Sequence, residues 1–452
     1  MPSIHKNIFT IAVVAFLFRL LMFFFVFEHS ERTIRPDTPS YVRPAINMTE
    51  GHGFSGNEHP PFFPSAIRTP IYPVFIAFFY TVFERDVLII AFVQIFIDTL
   101  TAVLIYIWGR RLFSESAARL GGLIYSLSVE QAVHAVFILT ESLFTLFFLW
   151  AIIAVSCYRE HCRLRWLVSG GILIGIAILI RPIALFFPLI GLLFIWMASP
   201  NMRWQFMRHG IIFLLIIAGI VVPWVIRNYL TLGLLKVSSI SSYNLLFYNA
   251  ASLSTDLHRI SQAQARAAIN DQVTKELTAL GWKGDELHSA QLYTAWSRKI
   301  LFSAPIRYVY IHLKNDINCF LPDVTDFLEL IGATQGGKET LSVLNQHGLI
   351  AAVNHYFDDN IWLLWAVFPF IALLGVTYLG TILGISIQIL QKHWDSLRLL
   401  FLPAAYLTLL PGAAATPRFR VPAMPYICLL AGIGIAKSIQ CYKIRQQQRT
   451  PI

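Results

Sequence analysis

Ten long apolar segments dominate this sequence, and each approaches the ~20 residues that a helix needs to cross ~30 Å of hydrocarbon. Hydrophobic residues make up 56% of the 452 residues. Only 13% are charged, against ~25% in soluble domains. These proportions exclude an ordinary soluble enzyme and predict an all-α polytopic membrane protein. The predicted spans are 8–27, 87–108, 117–138, 141–157, 166–180, 183–198, 210–226, 361–390, 397–412 and 421–437.

Basic residues divide the connecting loops into two sets. One set holds 14 Lys and Arg residues, whereas the short links of the other set hold only Arg181, Arg418 and Arg420. We expect the protein in the plasma (inner) membrane. Because cytoplasmic loops carry the basic surplus, we expect both termini in the cytoplasm. The net charge of +10 follows from these loops, and no nucleic-acid partner is expected. The basic loops are 1–6, 109–116, 158–165, 199–209, 391–398 and 437–452.

This topology divides the chain into three regions. They are a transmembrane half at 1–227 with a first outer loop at 28–86, an extracytoplasmic helical segment at 228–360, and C-terminal transmembrane helices at 361–452. Ile71 to Glu84 is too short to span and predicts an interfacial helix. In the second segment, helices are predicted at Asp256 to Leu280 and Glu286 to Phe302, and Arg307 to Lys314 is predicted on the membrane surface.

Two carboxylates share the predicted outer surface. Asp37 lies in the first outer loop, within Pro36-Asp37-Thr38-Pro39-Ser40-Tyr41, and Glu141 follows Thr140 at the start of a span. Such a pair suits a general base or a metal site. Each residue also has an ordinary interpretation: Asp37 as a solvated turn residue, and Glu141 as a helix-terminal acid with Thr140 as its N-cap.

Several arginines occupy the same surface, where the charge rule predicts few. They are Arg68, Arg181, Arg227, Arg418 and Arg420. A guanidinium suits bidentate binding of phosphate, and a phosphate at a membrane surface belongs most naturally to a lipid. The alternative is that each arginine merely extends its charged end to the interface.

Four further polar residues lie inside predicted spans. Arg19 and Asp98 fall near the middle of the first and second spans, where an unpaired charge is costly, and a structural ion pair between them is the favoured interpretation. A path through the membrane in a transporter is the alternative, and Glu130 would then take part. Glu130 and His134 recur at helical spacing, either as core residues or as part of a polar cavity or metal site.

Seven short motifs, in order, resemble those of a known superfamily. They are Asp37-x-x-x-Tyr41, Arg68-Thr-Pro-Ile-Tyr72-Pro73, Gly109-Arg110-Arg111-Leu-Phe, Thr140-Glu141-Ser142-Leu143-Phe144, Ile180-Arg181-Pro182, Pro223-Trp224-x-x-Arg227-Asn228 and Arg418-Phe-Arg420-x-Pro422. The chain resembles the GT-C superfamily of integral-membrane glycosyltransferases, of the glycosyltransferase family 39/83 type. These include bacterial relatives of protein O-mannosyltransferases and the aminoarabinose transferase of lipid A.

The resemblance implies a bundle of about ten transmembrane helices with interfacial helices in the first outer loop and a small helical outer domain. It implies a glycosyltransferase that moves a sugar from a polyprenyl-phosphate donor to a lipid, glycan or protein acceptor on the non-cytoplasmic face. A transporter or flippase of lipid-linked sugars is the alternative. Asp37 stands alone where the mannosyltransferases carry an Asp-Glu pair.

The resemblance also assigns residues to the site. Asp37 maps to the catalytic base or acceptor-orienting acid, and Glu141 maps to the second acidic position. Arg68 replaces a lysine that contacts the carrier phosphate in the lipid A enzymes. A divalent cation shared by Asp37 and Glu141 is left open. The residues assigned to the donor phosphate are Arg68, Arg181, Arg227, Arg418 and Arg420, and those assigned to substrate are Tyr41 and Tyr72.

Overall fold

The computed structural model of the chain describes residues 2–198, 202–282, 284–333, 348, 351, 354–355 and 362–449. All named elements in these residues are helical, which confirms the predicted all-α fold. The first ten helices are α1 (Pro2–Phe27), α2 (Pro39–Thr49), α3 (Ile71–Val82), α4 (Val87–Leu112), α5 (Glu115–Leu127), α6 (Val129–Val136), α7 (Glu141–His161), α8 (Leu164–Ile180), α9 (Phe187–Ala198) and α10 (Arg203–Leu232).

The second half of the chain adds a group of short helices and then three long ones. The short ones are α11 (Ile240–Asn244), a π-helix (Leu245–Ala250), α12 (Ala251–His258), α13 (Gln262–Ala279), α14 (Glu286–Leu301), α15 (Pro305–Asp316) and α16 (Thr325–Leu330), and the long ones are α17 (Trp362–Leu390), α18 (Trp394–Leu409) and α19 (Met424–Arg449). Parts of the predicted outer segment 228–360 lie outside the described residues.

Six helices of the described chain are long and apolar enough to cross a membrane. They are Ile4–Phe27, Val87–Leu112, Glu141–His161, Arg203–Leu232, Trp362–Leu390 and Pro417–Gln447. The predicted spans 166–180, 183–198 and 397–412 correspond to shorter helices. The predicted span 117–138 is divided into α5 and α6 at Ser128, whose backbone is extended. We attribute the break to Glu130, Gln131 and His134, polar residues that the fold buries within protein instead of exposing to lipid.

Helix α19 lies at the centre of the bundle and approaches two other helices closely. A Cβ added at Gly384 of α17 would lie 2.0 Å from the carbonyl oxygen of Leu430, and one at Gly434 would lie 2.1 Å from that of Gly380. One at Gly432 would lie 2.2 Å from the carbonyl oxygen of Ala117 in α5. Glycine is therefore required where the backbones of these helices meet.

These contacts predict different effects for two alanine substitutions in the same helix. Gly384→Ala should destabilise the protein by about 1–3 kcal/mol or more, because the added methyl group forces α17 and α19 apart. Gly375→Ala should be neutral or stabilising, since nothing lies within 4 Å of its Cβ position and alanine is the better helix former. Thermal unfolding in detergent measures both, and equal midpoints would contradict this account of the packing.

The predicted ion pair inside the membrane is confirmed. Arg19 of α1 bonds to Asp98 of α4, and both side chains are almost fully buried. Arg19 also donates to the carbonyl oxygen of Ser126 at 2.8 Å, and the Tyr125 hydroxyl donates to Asp98 Oδ1 at 2.6 Å. These bonds tie α1 and α4 to α5. Because protein groups already satisfy both charges, the pair fits a structural role and not an open transport path.

The outer segments carry amphipathic helices. In α3, Tyr72, Ile76 and Tyr80 are buried, while Val74 and Phe78 are exposed, as expected of an interfacial helix. In the second segment, α13 and α14 cover most of the two predicted helices. The predicted surface stretch Arg307 to Lys314 lies in α15, which exposes Ile306, Val309, Tyr310 and Leu313.

Candidate active site

Asp37 lies in a tight turn that leads into α2. The amide of Thr38 donates to the carbonyl oxygen of Arg35 at 2.9 Å, and the Thr38 hydroxyl donates to the carbonyl oxygen of Ile138 at 3.0 Å. The second bond anchors the turn to the segment between α6 and α7. The carboxylate of Asp37 is thus held beside the beginning of α7, and its side chain is 39% exposed.

Glu141 is the first residue of α7 and is fully buried. Its Oε1 accepts hydrogen bonds from Arg181 Nη1 at 2.8 Å and from Arg418 Nε. The amino end of a helix favours a negative charge, so α7 itself supports the carboxylate. Thr140 occupies the N-cap position, but its hydroxyl makes no cap bond.

Arg181 and Arg418 each lie next to a proline at a boundary between helices: Arg181 precedes Pro182, and Arg418 follows Pro417. Arg181 follows α8 with an extended backbone, the conformation favoured before a proline such as Pro182. Arg418 lies in the 3₁₀-helix Pro417–Ala423, which precedes α19. Both residues lie outside the regular α-helices α8 and α19, and both guanidiniums bond to Glu141 at the amino end of α7.

Arg418 joins the two predicted catalytic acids. Its Nη1 donates to Asp37 Oδ2 at 2.7 Å, while its Nε donates to Glu141. Arg68 Nη2 donates to the other Asp37 oxygen, Oδ1, at 2.8 Å. We call Asp37, Arg68, Glu141, Arg181 and Arg418 the arginine–carboxylate cluster. It places three guanidiniums against two carboxylates.

The two tyrosines predicted to contact substrate pack against the cluster, Tyr41 directly against Arg68 and Tyr72 against Tyr41. The guanidinium carbon of Arg68 lies 4.5 Å from the centre of the Tyr41 ring, a cation–π contact. Tyr72 packs edge-on against Tyr41 with ring centres 5.2 Å apart, and it is fully buried. The Tyr72 hydroxyl donates to Gln94 Oε1 at 2.7 Å. In this structure both rings therefore position Arg68.

The electrostatic surroundings keep Asp37 ionised. Burial raises the pKa of its carboxyl, but the adjacent guanidiniums of Arg68 and Arg418 lower that pKa by more, and the net pKa lies below the ordinary value of 3.8. The opposite charges therefore outweigh the partial loss of water. An ionised carboxylate between two arginines accepts hydrogen bonds on both oxygens and keeps further lone pairs for a hydroxyl group.

Two arginines assigned to the donor phosphate lie apart from this cluster. Arg420 is 1% exposed, and its Nη1 donates to the carbonyl oxygens of Cys319 and Leu321 at 2.6 and 3.0 Å. Its Nε donates to Glu130 Oε2 at 3.1 Å. Successive residues of a 3₁₀-helix are about 120° apart, so Arg418 and Arg420 point in different directions. The structure therefore places Arg420 outside the arginine–carboxylate cluster, against Glu130 and backbone carbonyl groups.

Arg227 is the second of these arginines that the structure places away from the cluster. Its Nη1 donates to the carbonyl oxygen of Ser65 at 2.7 Å and its Nη2 to that of Phe54 at 3.2 Å. Its guanidinium carbon also lies 4.9 Å from the centre of the Trp224 ring. Arg227 thus holds the backbone of the first outer loop just before Arg68, and it contributes to the cluster only through that loop.

Glu130 and His134 are core residues of α6. The carboxylate of Glu130 pairs with Arg420, and His134 Nδ1 lies 2.9 Å from the carbonyl oxygen of Glu130. Glu130 also borders a small cavity of about 40 Å³ together with Asp323. Burial raises the pKa of Asp323 to about 6, and the charges of Asp326 and Glu130 add to this effect.

The residues present do not fit the shared divalent cation that the sequence leaves open. Arg418 lies between Asp37 and Glu141 and bonds to both, so a cation of the protein occupies the position between the two carboxylates. Within the described ranges, no group of three or more His, Cys, Asp or Glu side chains is arranged to hold a metal ion.

Two residues that sequence reasoning did not select help to build the site. The Ser40 hydroxyl accepts from Arg68 Nε at 2.7 Å, so Arg68 is held by Ser40 and Asp37 together. Ser40 lies in the quoted motif around Asp37, which is the signal that could have identified it. Arg35 bonds to Asp326 and Glu329 of α16 and so joins the first outer loop to the second. The sequence carries no signal for that long-range contact.

The fold and part of the sequence match known glycosyltransferases. Residues 63–226 match the family of dolichyl-phosphate-mannose-protein mannosyltransferases. The oligosaccharyltransferase of Archaeoglobus fulgidus in its apo form aligns over 99% of this chain and 52% of its own, with a TM-score of 0.53 and 14% identity. The predicted resemblance to the GT-C glycosyltransferases is confirmed. The chain spans about half the length of the oligosaccharyltransferase that it matches.

Further solved structures align with the same chain. The same Archaeoglobus enzyme tethered to an acceptor peptide aligns over 98% of this chain and 51% of its own, with a TM-score of 0.53 and 13% identity. ArnT from Cupriavidus metallidurans aligns over 92% of this chain and 76% of its own, with 14% identity, but its TM-score of 0.36 is too low to carry an argument. No curated protein matches the chain in sequence.

Proposed function

We propose that this protein is a glycosyltransferase that moves a sugar from a polyprenyl-phosphate donor to a lipid, glycan or protein acceptor. The observation that carries the proposal is the arginine–carboxylate cluster, which combines a half-exposed carboxylate with three guanidiniums at one end of the bundle. The match of residues 63–226 to a mannosyltransferase family supports a lipid-phosphate donor. The acceptor peptide bound by the structurally similar Archaeoglobus enzyme is consistent with a protein or glycan acceptor.

The proposed reaction is a displacement at the anomeric carbon of the donor sugar. The bond from the anomeric carbon to the phosphate oxygen breaks, and its electron pair leaves with the polyprenyl phosphate. The acceptor hydroxyl forms the new bond to the anomeric carbon and gives its proton to the carboxylate of Asp37. Because the pKa of Asp37 is low, this proton transfer is expected late, after the new bond has made the hydroxyl group more acidic.

The guanidiniums supply the charge that the leaving phosphate requires. Arg68, Arg181 and Arg418 each present charged donors next to Asp37 or Glu141. An incoming phosphodiester would take over some of the bonds that the carboxylates now accept, and the cluster holds one positive charge in excess to bind it. Donors already in place where negative charge develops stabilise the transition state without further reorganisation.

The main test is incubation of the purified protein with an extract of cellular polyprenyl-phosphate sugars and candidate acceptors. Mass spectrometry should find a glycosylated acceptor and the released polyprenyl phosphate. Asp37→Asn should lower turnover by ~10² to 10⁴, because the amide keeps the shape of the side chain but loses the base and one of the two acceptor atoms for arginine.

Glu50→Gln provides the matched control for Asp37→Asn. Glu50 lies in the same outer loop, is 37% exposed and pairs with Arg85 at 2.8 Å, so it resembles Asp37 in exposure and partner. It should transfer sugar at the wild-type rate. Wild-type transfer by Asp37→Asn would contradict the assignment of Asp37 as the base, and the absence of a glycosylated product with the wild-type protein would give first place to a transporter of lipid-linked sugars.

A second prediction concerns the donor phosphate. Arg181→Gln and Arg418→Gln should each raise the apparent donor KM about 10- to 100-fold, the loss expected for a charge-assisted hydrogen bond. Arg181→Lys and Arg418→Lys should retain part of the affinity, because the charge survives without the bidentate fork. Arg43→Gln is the control, since Arg43 pairs with Glu58 on the exposed part of the same loop. An unchanged donor KM in both Gln variants would remove the phosphate assignment.

The lowered pKa of Asp37 predicts the pH dependence of kcat/KM. A carboxyl with a pKa below 3.8 stays ionised as the pH falls from 7 to about 5, so Asp37 should cause no loss of activity over that range. Arg68→Gln removes one guanidinium that lowers this pKa, and the acid limb should then move to higher pH. A wild-type acid limb above pH 5, or no movement in the variant, would show that Asp37 does not set the profile.

We also propose that the cluster faces the periplasmic or extracytoplasmic side and that both termini are cytoplasmic. The native thiols of Cys162 and Cys441 are exposed near the opposite end of the bundle, whereas Cys157, Cys319 and Cys428 are buried. An impermeant maleimide should therefore leave wild-type protein unlabelled in intact cells and label it after permeabilisation.

Exposed positions in the outer loops complete this test. His59→Cys and Gln272→Cys place a thiol at exposed sites in the first and second outer segments, and both should react in intact cells. Labelling of the wild-type protein in intact cells, with protection of both variants, would invert the topology.

A further inference from the structure

A broad groove lies at the end of the bundle opposite the arginine–carboxylate cluster. Its volume is about 1240 Å³, and the ends of α4, α7, α17 and α19 contribute to its walls. Helix α7 begins at Glu141 in the cluster, and Arg159 in its last turn lines the groove. A helix of 21 residues is about 30 Å long, so the groove and the cluster lie at opposite membrane surfaces.

Basic side chains surround this groove. Seven of its described lining residues are Lys or Arg, against one carboxylate, that of Asp395. Arg159 donates to the carbonyl oxygen of Asp395 at 3.2 Å and lies 3.6 Å from its carboxylate. Arg119, Lys392 and Lys443 form no salt bridge with any residue that the structure describes. The positive-inside rule explains basic residues at this surface, but it does not explain their convergence on one concavity.

The rim of the groove is built by a fixed turn between α17 and α18. Lys392 has a left-handed backbone conformation with φ of 57°, which is unfavourable for a residue other than glycine. Gln388, only 1% exposed, holds the turn: its Nε2 donates to Ser396 Oγ at 3.3 Å, and its Oε1 lies 3.1 Å from His393 Nδ1. A buried amide thus fixes Lys392 at the edge of the groove.

Apolar side chains line the same groove beside the charges. They include Leu112, Phe113, Leu120, Ile387, Ile433 and Ile439. A soluble anion needs only the basic residues, whereas a phospholipid presents a phosphate and the first carbons of its acyl chains together. Basic pockets between transmembrane helices at this kind of surface suit anionic lipid headgroups.

We propose that this groove binds the phosphate headgroup of an anionic phospholipid from the adjacent leaflet. Lys392, Lys443 and Arg119 contact the phosphate, and Phe113 and Leu120 contact the acyl chains. The site is separate from the arginine–carboxylate cluster, and the proposal does not depend on the proposed sugar transfer.

The test measures lipid binding to the purified full chain in detergent. Phosphatidylglycerol should raise the midpoint of thermal unfolding more than phosphatidylcholine does, and native mass spectrometry should show it retained in preference. Lys392→Gln combined with Lys443→Gln should weaken the apparent affinity for phosphatidylglycerol about 30-fold, the factor expected for two lost basic contacts with an anionic membrane surface.

The control and a competing anion keep the proposal falsifiable. Lys275→Gln combined with Lys299→Gln removes the same charge from exposed positions on α13 and α14 and should leave the affinity unchanged. Equal effects of the two lipids on the wild-type protein, or equal losses in the two double variants, would overturn the site. Displacement of phosphatidylglycerol by inorganic phosphate or pyrophosphate at similar concentration would assign the groove to a soluble anion instead.

Discussion

The end of the bundle that carries the arginine–carboxylate cluster depends on the guanidinium of Arg418. Its two bonds reach Asp37 and Glu141, which precede it in the chain by 381 and 277 residues. Two carboxylates brought together at a partly buried site repel each other, and Arg418 offsets that repulsion because it bonds to both. The chain just before α19 supplies a cation between them, and the same contact joins the transmembrane half at 1–227 to the C-terminal region at 361–452.

Together, the contacts around Arg418 hold the carboxylate of Asp37 in a fixed position beside three guanidiniums, which exceed the two carboxylates by one charge. Arg181 forms a second ion pair with Glu141, and Arg68 forms a second ion pair with Asp37. The second outer segment contributes indirectly, because Glu286 accepts from the backbone amide of Ala66 at 2.9 Å, two residues before Arg68. At the opposite surface the basic groove has only Asp395 as a carboxylate among its described lining residues. At one end of the bundle the arginines pair with carboxylates, whereas at the other end most of the basic residues that line the groove face no carboxylate in it.

Much of the fold could be predicted from the pattern of apolar residues. The spans, the interfacial α3 and the main helices of the outer segment follow from hydropathy and helical periodicity, which are local properties. The pairing of Arg19 with Asp98 also followed from the cost of a lone charge in lipid. The break at Ser128 could not be predicted in this way, because it depends on the partners of Glu130 and His134. Glu130 pairs with Arg420, and His134 lies beside Asp326 of the predicted outer segment.

The sequence by itself determined the chemistry available to the site: Asp37, Glu141 and an unusual number of arginines beside prolines. Only the tertiary structure decided which arginines serve the carboxylates. Arg418 and Arg420 are equivalent in the sequence motif, but the 3₁₀ turn between them directs one toward Asp37 and the other into the core toward Glu130. Local spacing cannot distinguish them, because the choice depends on partners that lie hundreds of residues away in the chain.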